Sequence, residues 1–366
     1  MVLSDVHLFH DKTPTVHIVN NLIRTVPNND SMKDIDLIVI SGDLFDRAVF
    51  LPNGDVWHAH RFIHHLVNVC ERYDIILRVL EGTPSHDWKQ SAMVTEIVKE
   101  RGDKCDAKHV SVLSIEHIQR LGLDVLYVPD EWGSGCASTF NEVKELLIEH
   151  QLEKVDIAIM HGCFNYQFPV NLVGKPDVHD ENSYLGITRY LTVIGHYHTH
   201  SKFERIYVPG SFDRLRHNEE EAKGHLLITL RPDETFTVNF IENKNAMVYK
   251  TFQCVGLPIN EIIDNIALFV KDNERLQFIR IVCDKDDPIY KGIRELTSLF
   301  PFVKFSISLT KDKVKEKVIA ETKDIVKPQA ITLDNIEQLL RERLEQKNTE
   351  WVVPCMSILK EVIDES

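Results

Sequence analysis

The sequence predicts an α/β fold in layers, followed by a small αβαβ domain and a helical tail. Apolar runs typical of buried strands recur through the first two hundred residues, at 35–40, 75–80, 124–128, 155–160 and 191–194. Between several of these runs, apolar residues recur at spacings of three and four, as amphipathic helices require, in 56–73 and 139–152. Strands that alternate with helices indicate a sheet covered by helices.

The pattern changes to antiparallel strands after about residue 206. Two apolar runs, 224–230 and 235–240, flank a Pro-Asp turn at 232–233, as in a hairpin. We therefore expect the first domain to span residues 1–245.

A second, smaller domain is predicted over residues 246–310. Its pattern alternates helix and strand, with a helix at 260–271, a strand at 277–283, a helix at 287–299 and a strand at 303–309. Residues 311–366 are predicted to form a charged linker and two amphipathic helices. Such helices either pack on their own protein or dock on a partner, and the sequence leaves both interpretations open.

Composition limits the classes of function. The chain has 366 residues, of which 43% are hydrophobic and 27% charged, and its formal net charge is -14. No apolar run approaches the ~20 residues of a membrane span, and the first residues do not resemble a signal peptide, so we expect a cytoplasmic protein without membrane contact. The acidic charge argues against a broad basic surface for nucleic acid, so DNA binding would require metal ions or a partner.

Histidines and aspartates follow the predicted strands at several places. They lie in the segments Asp5-x-His7, Gly42-Asp43-x-x-Asp46, His86-Asp87, His161-Gly162 and Gly195-His196-x-His198. Because ligand sites in open α/β sheets lie beyond the carboxyl ends of the strands, we expect these segments to converge on one site. Mixed carboxylate and imidazole ligands are typical of a two-metal hydrolase, and Asp43 is the best candidate for the carboxylate that bridges the ions.

The order of these segments resembles the calcineurin-like binuclear metallophosphoesterases, whose pattern is D-x-H, G-D-x-x-D, G-N-H-D/E, a lone H and G-H-x-H. Two later segments, 208–214 (Val-Pro-Gly-Ser-Phe-Asp-Arg) and 219–224 (Glu-Glu-Glu-Ala-Lys-Gly), resemble the SbcD-type DNA repair nucleases of the meiotic recombination Mre family. The resemblance implies a layered metallophosphoesterase β-sandwich flanked by helices over 1–245. It also implies that 246–310 is a DNA-capping domain and that 311–366 docks on an ATPase.

The resemblance implies a role for each site residue. It assigns one metal ion to Asp5, His7, Asp43 and His198, and the other to Asp43, His161 and His196. His86 would be the acid that assists the leaving oxygen, and Asp87 would orient its imidazole. The ligand set suits two Mn²⁺ ions, with Mg²⁺, Fe²⁺ and Zn²⁺ as alternatives.

One segment departs from the family pattern. Where the family has an asparagine ligand of the second metal, this chain has Thr83-Pro84-Ser85. Ser85 adjoins His86 as the asparagine would, so we include it among the metal ligands, whereas Thr83 keeps the position after glycine; either hydroxyl, or a water molecule, could complete the shell. Because a hydroxyl is a weaker ligand than an amide carbonyl, we expect a looser second metal. Asp46 either supports a metal ligand or caps the turn.

The expected function is that of a metal-dependent DNA nuclease, with exonuclease or endonuclease activity, in an SbcCD-like complex for DNA repair and recombination. It would hydrolyse phosphodiesters with a two-metal-activated hydroxide. Its expected partners are DNA, an SMC-type ATPase (SbcC-like) bound through the C-terminal helices, and a second copy in a homodimer. The alternatives are a phosphatase or small-molecule phosphodiesterase, and a degenerate nuclease that acts as a structural clamp for the ATPase.

Overall fold

The computed structural model describes residues 1–48, 54–102, 104–130, 135–169, 176–271 and 276–310. Its strands, in chain order, are β1 (Val2–Leu3), β2 (Leu37–Ser41), β3 (Ile76–Leu80), β4 (Ala107–Val110), β5 (Ser114–Ile118), β6 (Leu123–Val128), β7 (Val155–His161), β8 (Thr188–Gly195), β9 (Ser201–Phe203), β10 (Ile206–Val208), β11 (Gly224–Leu230), β12 (Phe236–Glu242), β13 (Val248–Gln253), β14 (Gln277–Cys283) and β15 (Val303–Leu309). Its helices are α1 (Thr15–Thr25), α2 (Asp55–Tyr73), α3 (Pro84–Asp87), α4 (Met93–Arg101), α5 (Cys136–Glu149), α6 (Glu181–Ile187), α7 (Ile259–Val270) and α8 (Pro288–Leu299). Within the described ranges, every helix is too short or too polar to cross a membrane.

A six-stranded sheet carries the first half of the candidate site. Its strand order is β12-β11-β1-β2-β3-β4, in which β1 to β4 are parallel and β11 and β12 are antiparallel to their neighbours. The hairpin predicted at 224–240 is confirmed, because β11 pairs with β12 along its whole length. The apolar runs predicted as β2 and β3 are also strands, and their residues are buried on both faces, as in a sheet covered from both sides.

A second six-stranded sheet carries the other half of the site. Its order is β5-β6-β7-β8-β10-β9. Strands β6, β7, β8 and β10 are parallel, and β5 and β9 are antiparallel strands at the two edges. Strand β7 is buried along its whole length and ends at His161. This histidine therefore lies at the end of the strand that faces the site.

The two sheets pack face to face, and helices cover their outer faces. Val39 and Ile76 of the first sheet share a buried apolar core with Val193 of the second. On the outer face of the first sheet, α1, α2 and α4 bury apolar residues such as Phe62 against the strands, and α5 and α6 do so on the second. The burial of these apolar faces is what holds the four layers together. The predicted α/β class is therefore confirmed.

The smaller domain has one strand more than the predicted αβαβ pattern. Strand β13 (Val248–Gln253) precedes α7, and the order β13-β14-β15 forms a parallel three-stranded sheet. The αβαβ prediction is thus corrected to βαβαβ. The missed strand contains Lys250 and Thr251 in its middle, so its sequence lacks a clean apolar run, and its pairing with β14 is a long-range contact. The linker and helices predicted for 311–366 lie outside the described residues.

Arg78 links the two large sheets from the middle of β3. It is buried, and its guanidinium donates hydrogen bonds to Glu116 of β5 at 2.9 and 3.0 Å and to Asp106 at 2.9 Å. Burial by itself would raise the pKa of Glu116, but the hydrogen bond and charge of Arg78 outweigh it and lower that pKa. A carboxyl whose pKa is lowered on folding stabilises the fold above its ordinary pKa, and this contribution is lost as the pH falls through the lowered value.

Replacing Arg78 with methionine should lower the free energy of unfolding by roughly 3 kcal/mol at neutral pH, because a largely buried carboxylate then loses its cation. Urea denaturation at several pH values measures this loss, and the acid-dependent part of the stability should shrink in the variant. Lys108→Met is the matched control, because Lys108 is half-exposed and lies 3.7 Å from the same carboxylate. The control should change stability by less than about 1 kcal/mol. Equal losses in both variants would contradict the assignment.

Candidate metal centre

The predicted site residues converge at one edge of the two large sheets. Asp5 follows β1 and Asp43 follows β2 in the first sheet, while His161 ends β7 and His196 follows β8 in the second. Nδ1 of His161 lies 2.9 Å from the carbonyl oxygen of Ser41, so a hydrogen bond joins the two sheets at this edge. The expectation that carboxyl ends of the strands bring these residues together is confirmed.

The backbone at this edge is held in an unusual conformation. The φ angles of Asp5, His7, Asp43 and His196 are 48°, 51°, 50° and 97°, in the left-handed region that residues other than glycine rarely adopt. Such conformations cluster at functional sites, because the surrounding structure has to impose them. Gly42 has a φ of 89°, and a Cβ there would lie 2.0 Å from Nδ1 of His161, so only glycine fits beside this imidazole.

Asp5, His7 and His198 form a first group of potential metal ligands. One ligand atom of each lies within 4.8 Å of the others. Nε2 of His7 lies 3.0 Å from Nε2 of His198, and the latter lies 3.9 Å from Oδ1 of Asp5. Two imidazole nitrogens that face each other beside a carboxylate suit a shared cation, because the lone pairs can then point at one ion.

A second group consists of Asp43, His161 and His196, again with ligand atoms within 4.8 Å of one another. Oδ1 of Asp43 lies 3.3 Å from Nε2 of His161, while its Oδ2 lies 3.7 Å from Nε2 of His7 in the first group. Asp43 is only 1% exposed. The two oxygens of this buried carboxylate thus face the two groups, which is the placement of a bridging ligand.

In three of the histidines, the Nδ1 atom lies beside an oxygen of a carboxylate or a backbone carbonyl. Metal-ligating imidazoles usually have such a partner on the nitrogen that does not face the metal. Nδ1 of His198 lies 3.1 Å from Oε1 of Glu219, and Nδ1 of His161 contacts a backbone carbonyl as described above. Oδ1 of Asp46 lies 3.3 Å from the buried Nδ1 of His7, which otherwise makes no hydrogen bond within the described residues. A proton held on Nδ1 leaves the lone pair of Nε2 for a metal ion.

Glu219 was not predicted as part of the site. It is buried, its Oε2 accepts a hydrogen bond from the backbone of Leu215, and Lys223 lies 3.5 Å from the same oxygen. Burial by itself would raise its pKa, but the hydrogen bond with His198 and the charge of Lys223 hold that pKa well below its usual range. Its place in the segment 219–224 was the available signal, although the sequence does not reveal that this carboxylate reaches His198.

The charges of the second group are strongly coupled. Burial by itself would raise the pKa of Asp43, but the charge and hydrogen bond of His161 hold it well below its usual range. Conversely, burial lowers the pKa of His161, and the charge and hydrogen bond of Asp43 outweigh this effect and raise it. Burial and the charge of His161 lower the pKa of His196. The buried carboxylate therefore attracts positive charge, as a divalent-cation site requires, so these His and Asp groups could hold a metal ion.

Thr83, rather than Ser85, faces the second group. Oγ1 of Thr83 lies 3.2 Å from Oδ2 of Asp43, 3.3 Å from Nε2 of His161 and 3.2 Å from Nδ1 of His196. Ser85 is exposed, and its carbonyl oxygen accepts a hydrogen bond from the indole of Trp88. The inclusion of Ser85 among the ligands is thus corrected: Ser85 is exposed in the helical turn that Pro84 begins, and the hydroxyl that lies against this group is that of Thr83.

The carboxylate that contacts His86 is Asp43, not Asp87. Nδ1 of His86 lies 2.8 Å from Oδ2 of Asp43, and this hydrogen bond raises the pKa of His86 more than burial lowers it. Asp87 instead accepts hydrogen bonds from the backbone of Phe45 at 2.9 Å and of Gly82 at 2.7 Å. The expected orienting role of Asp87 therefore becomes an indirect one, in which it anchors the turn that carries His86.

In a titration with Mn²⁺, replacing Thr83 with valine should weaken binding at the group of Asp43, His161 and His196 by about 10- to 100-fold, the usual cost of removing a support at a metal site. Valine keeps the branched shape and replaces the hydroxyl with a methyl group. Thr83→Asn, which restores the amide of the family pattern, should tighten the same site. Calorimetric titration with Mn²⁺ measures both changes. Ser85→Ala is the control and should leave both affinities unchanged, and a loss in the control equal to that in Thr83→Val would contradict the placement of Thr83.

No family model matches this chain, and no curated protein matches it. Among solved structures, one similar chain shares 13% sequence identity, covers 65% of this chain and 97% of its own length, and has a TM-score of 0.36. A likeness at that level carries no argument about fold or function.

Proposed function

We propose that this chain is a metal-dependent phosphodiesterase that acts on DNA, the nuclease subunit of an SbcCD-like repair complex. The observation that carries the proposal is Asp43, a buried carboxylate whose two oxygens face two groups of histidine and aspartate ligands. Two adjacent divalent ions are the usual means of hydrolysing a phosphodiester. Helix, sheet, sheet and helix layers with the ligands at the carboxyl ends of the strands support a metallophosphoesterase β-sandwich as the finer description of the fold.

The bound ions would supply an activated water and neutralise the charge on the phosphoryl oxygens. The remaining steps belong to the chain. His86 is held at the rim by its hydrogen bond to Asp43 and is 34% exposed on its side chain, so a substrate can reach it. Because that hydrogen bond raises its pKa, the protonated form of His86 is favoured, and it can donate that proton to the leaving oxygen.

The smaller domain contacts the loop that supports the metal ligands, which favours the role of a DNA-capping domain for 246–310. Nζ of Lys250 lies 2.5 Å from Oε2 of Glu220, and the backbone of Thr251 donates to Oε1 of the same residue at 3.0 Å. Glu220 adjoins Glu219, which holds His198. A contact that reaches this loop allows DNA bound on the small domain to be positioned relative to the site.

The partners of the proposed complex follow from charge and from the family resemblance. A chain with a net charge of -14 gains little DNA affinity from its overall electrostatics, so an SMC-type ATPase would provide much of the affinity of the complex for DNA. The segment proposed to dock on that ATPase, 311–366, lies outside the described residues, and a homodimer is part of the same proposal.

Three substrates test the proposed function. Linear DNA, a nucleoside phosphodiester and a phosphomonoester are each incubated with the full chain and Mn²⁺, beside Asp43→Ala and His86→Ala. We expect hydrolysis of DNA and of the diester by the wild type, and large losses in both variants. Hydrolysis of the monoester alone would indicate a phosphatase. Absence of DNA cleavage, both alone and with an SbcC-like ATPase, would overturn the proposal, and absence of hydrolysis of all three substrates would indicate a structural clamp.

A further inference from the structure

Trp88 is a large aromatic side chain at the rim of the metal centre. Trp88 is 60% exposed, and it lies two residues beyond His86, which contacts Asp43. A single exposed aromatic residue is not unusual by itself. The features that distinguish Trp88 are the rigidity of its position and the basic residues on the same rim.

The backbone holds Trp88 in a conformation that its bulk disfavours. Trp88 and Lys89 have φ angles of 48° and 60°, two consecutive left-handed residues. The chain is fixed on both sides of the ring. Asp87 is anchored by the backbone of the neighbouring loops, and the backbone N–H of Lys89 donates to Oε1 of Glu81 at 2.6 Å. Trp88 ends the helical turn α3, and these contacts hold its backbone in place.

The indole ring is also fixed in its orientation. Its Nε1–H donates a hydrogen bond to the carbonyl oxygen of Ser85 at 2.8 Å. The polar edge of the ring is therefore satisfied within the turn, and the part left in water is its aromatic carbon surface. A rigid aromatic surface loses little conformational entropy when another ring stacks on it.

Two basic residues belong to the same rim as Trp88 in a chain that is acidic overall. Lys89 is the next residue and is exposed. Arg47 is 47% exposed on its side chain, and its guanidinium lies 3.3 Å from Oδ2 of Asp46. Its backbone carbonyl accepts a hydrogen bond from the side chain of Gln90 at 3.0 Å, so it belongs to the same rim. An aromatic platform with cations beside it is the combination that binds single-stranded nucleic acid, because bases stack on the ring while cations contact phosphates.

We infer that Trp88 is a stacking platform for an unpaired nucleobase next to the scissile phosphate, so that the site takes a single strand or a frayed DNA end in preference to an intact duplex. The inference rests on the proposed nuclease function and names the form of DNA that the site accepts. A base paired within a duplex has its faces covered by its neighbours, and it can stack on Trp88 only after it leaves the helix.

A binding experiment tests base stacking on Trp88 in the absence of DNA cleavage. Single-stranded oligonucleotides that carry the fluorescent base 2-aminopurine are titrated with the full chain, with Ca²⁺ in place of Mn²⁺. Stacking on Trp88 should quench the fluorescence. Trp88→Ala should lose the quenching and bind about tenfold more weakly, whereas Trp88→Phe should keep part of both. Trp57→Ala is the matched control, because Trp57 is 69% exposed on α2, and it should behave as the wild type. Unchanged quenching in Trp88→Ala would overturn the inference.

A cleavage experiment separates this inference from the proposed function. With Mn²⁺, the wild type should cleave a strand about tenfold faster than the same strand with an abasic position next to the cleaved bond, and Trp88→Ala should cleave both at one rate. If the wild type cleaves no DNA, the nuclease proposal fails and the quenching experiment alone decides the role of the ring. If Trp88→Ala cleaves DNA but keeps the preference, stacking is refuted. If Trp88→Ala changes only the oligomeric state, as measured by light scattering, Trp88 is a protein contact and the stacking role is refuted.

Discussion

Replacing Asp43 with asparagine should abolish the binding of both metal ions and slow phosphodiester hydrolysis by about 10³-fold or more. The two oxygens of Asp43 face the two ligand groups, and a neutral amide cannot attract two cations at once. Asparagine suits the test because it has nearly the same shape and tolerates the left-handed backbone that Asp43 adopts. The fold should therefore persist, as judged by far-ultraviolet circular dichroism.

Metal binding by Asp43→Asn can be measured without catalysis. Mn²⁺ should raise the thermal midpoint of the wild type but not that of Asp43→Asn, because only a ligand that binds the folded state stabilises it. Calorimetry should detect two sites in the wild type and no tight site in the variant. Asp46→Asn is the matched control, since Asp46 lies 3.3 Å from Nδ1 of His7 and supports only that ligand. It should weaken metal binding by about 10- to 100-fold. A wild-type Mn²⁺ affinity in Asp43→Asn would refute the bridging position.

The place of the site could be predicted from the sequence because strand direction and strand ends are local properties. Asp43 follows a short apolar run, and the alternation of strands and helices makes the neighbouring strands parallel, so their polar ends meet at one edge. His161 and His196 follow from the same argument in the second sheet. The four layers follow as well, since each apolar face needs another face to cover it.

The contacts within the site could not be predicted in the same way, because they depend on the direction of side chains in turns. Thr83 and Ser85 both carry hydroxyls near the missing asparagine, and the structure places that of Thr83 against the ligands, whereas Ser85 is exposed in the helical turn that follows. Glu219 reaches His198 across a loop, a contact that no periodic pattern encodes. Strand β13 was missed for a related reason: its position depends on pairing with β14, not on its own composition.

His86→Gln should slow DNA hydrolysis by about 10²- to 10⁴-fold, the usual contribution of a positioned acid, while both metal ions remain bound. The pH profile should change as well. Because the hydrogen bond to Asp43 raises the pKa of His86, the imidazole donates a proton below that pKa, and the rate of the wild type should fall as the pH rises through it. The variant has no such proton, so this alkaline fall should disappear.

Two substrates whose leaving groups differ in their need for a proton show whether His86 acts as a general acid or as a metal ligand. Its ring also forms a potential ligand group with His7 and Asp43, so loss of activity alone would fit both roles. Bis(p-nitrophenyl) phosphate releases p-nitrophenolate, which needs no proton to depart, so His86→Gln should slow its hydrolysis less than about tenfold. If His86 were instead a ligand, Mn²⁺ affinity would fall and both substrates would slow alike. A selective loss on DNA with unchanged Mn²⁺ binding is therefore the result that assigns the proton to His86.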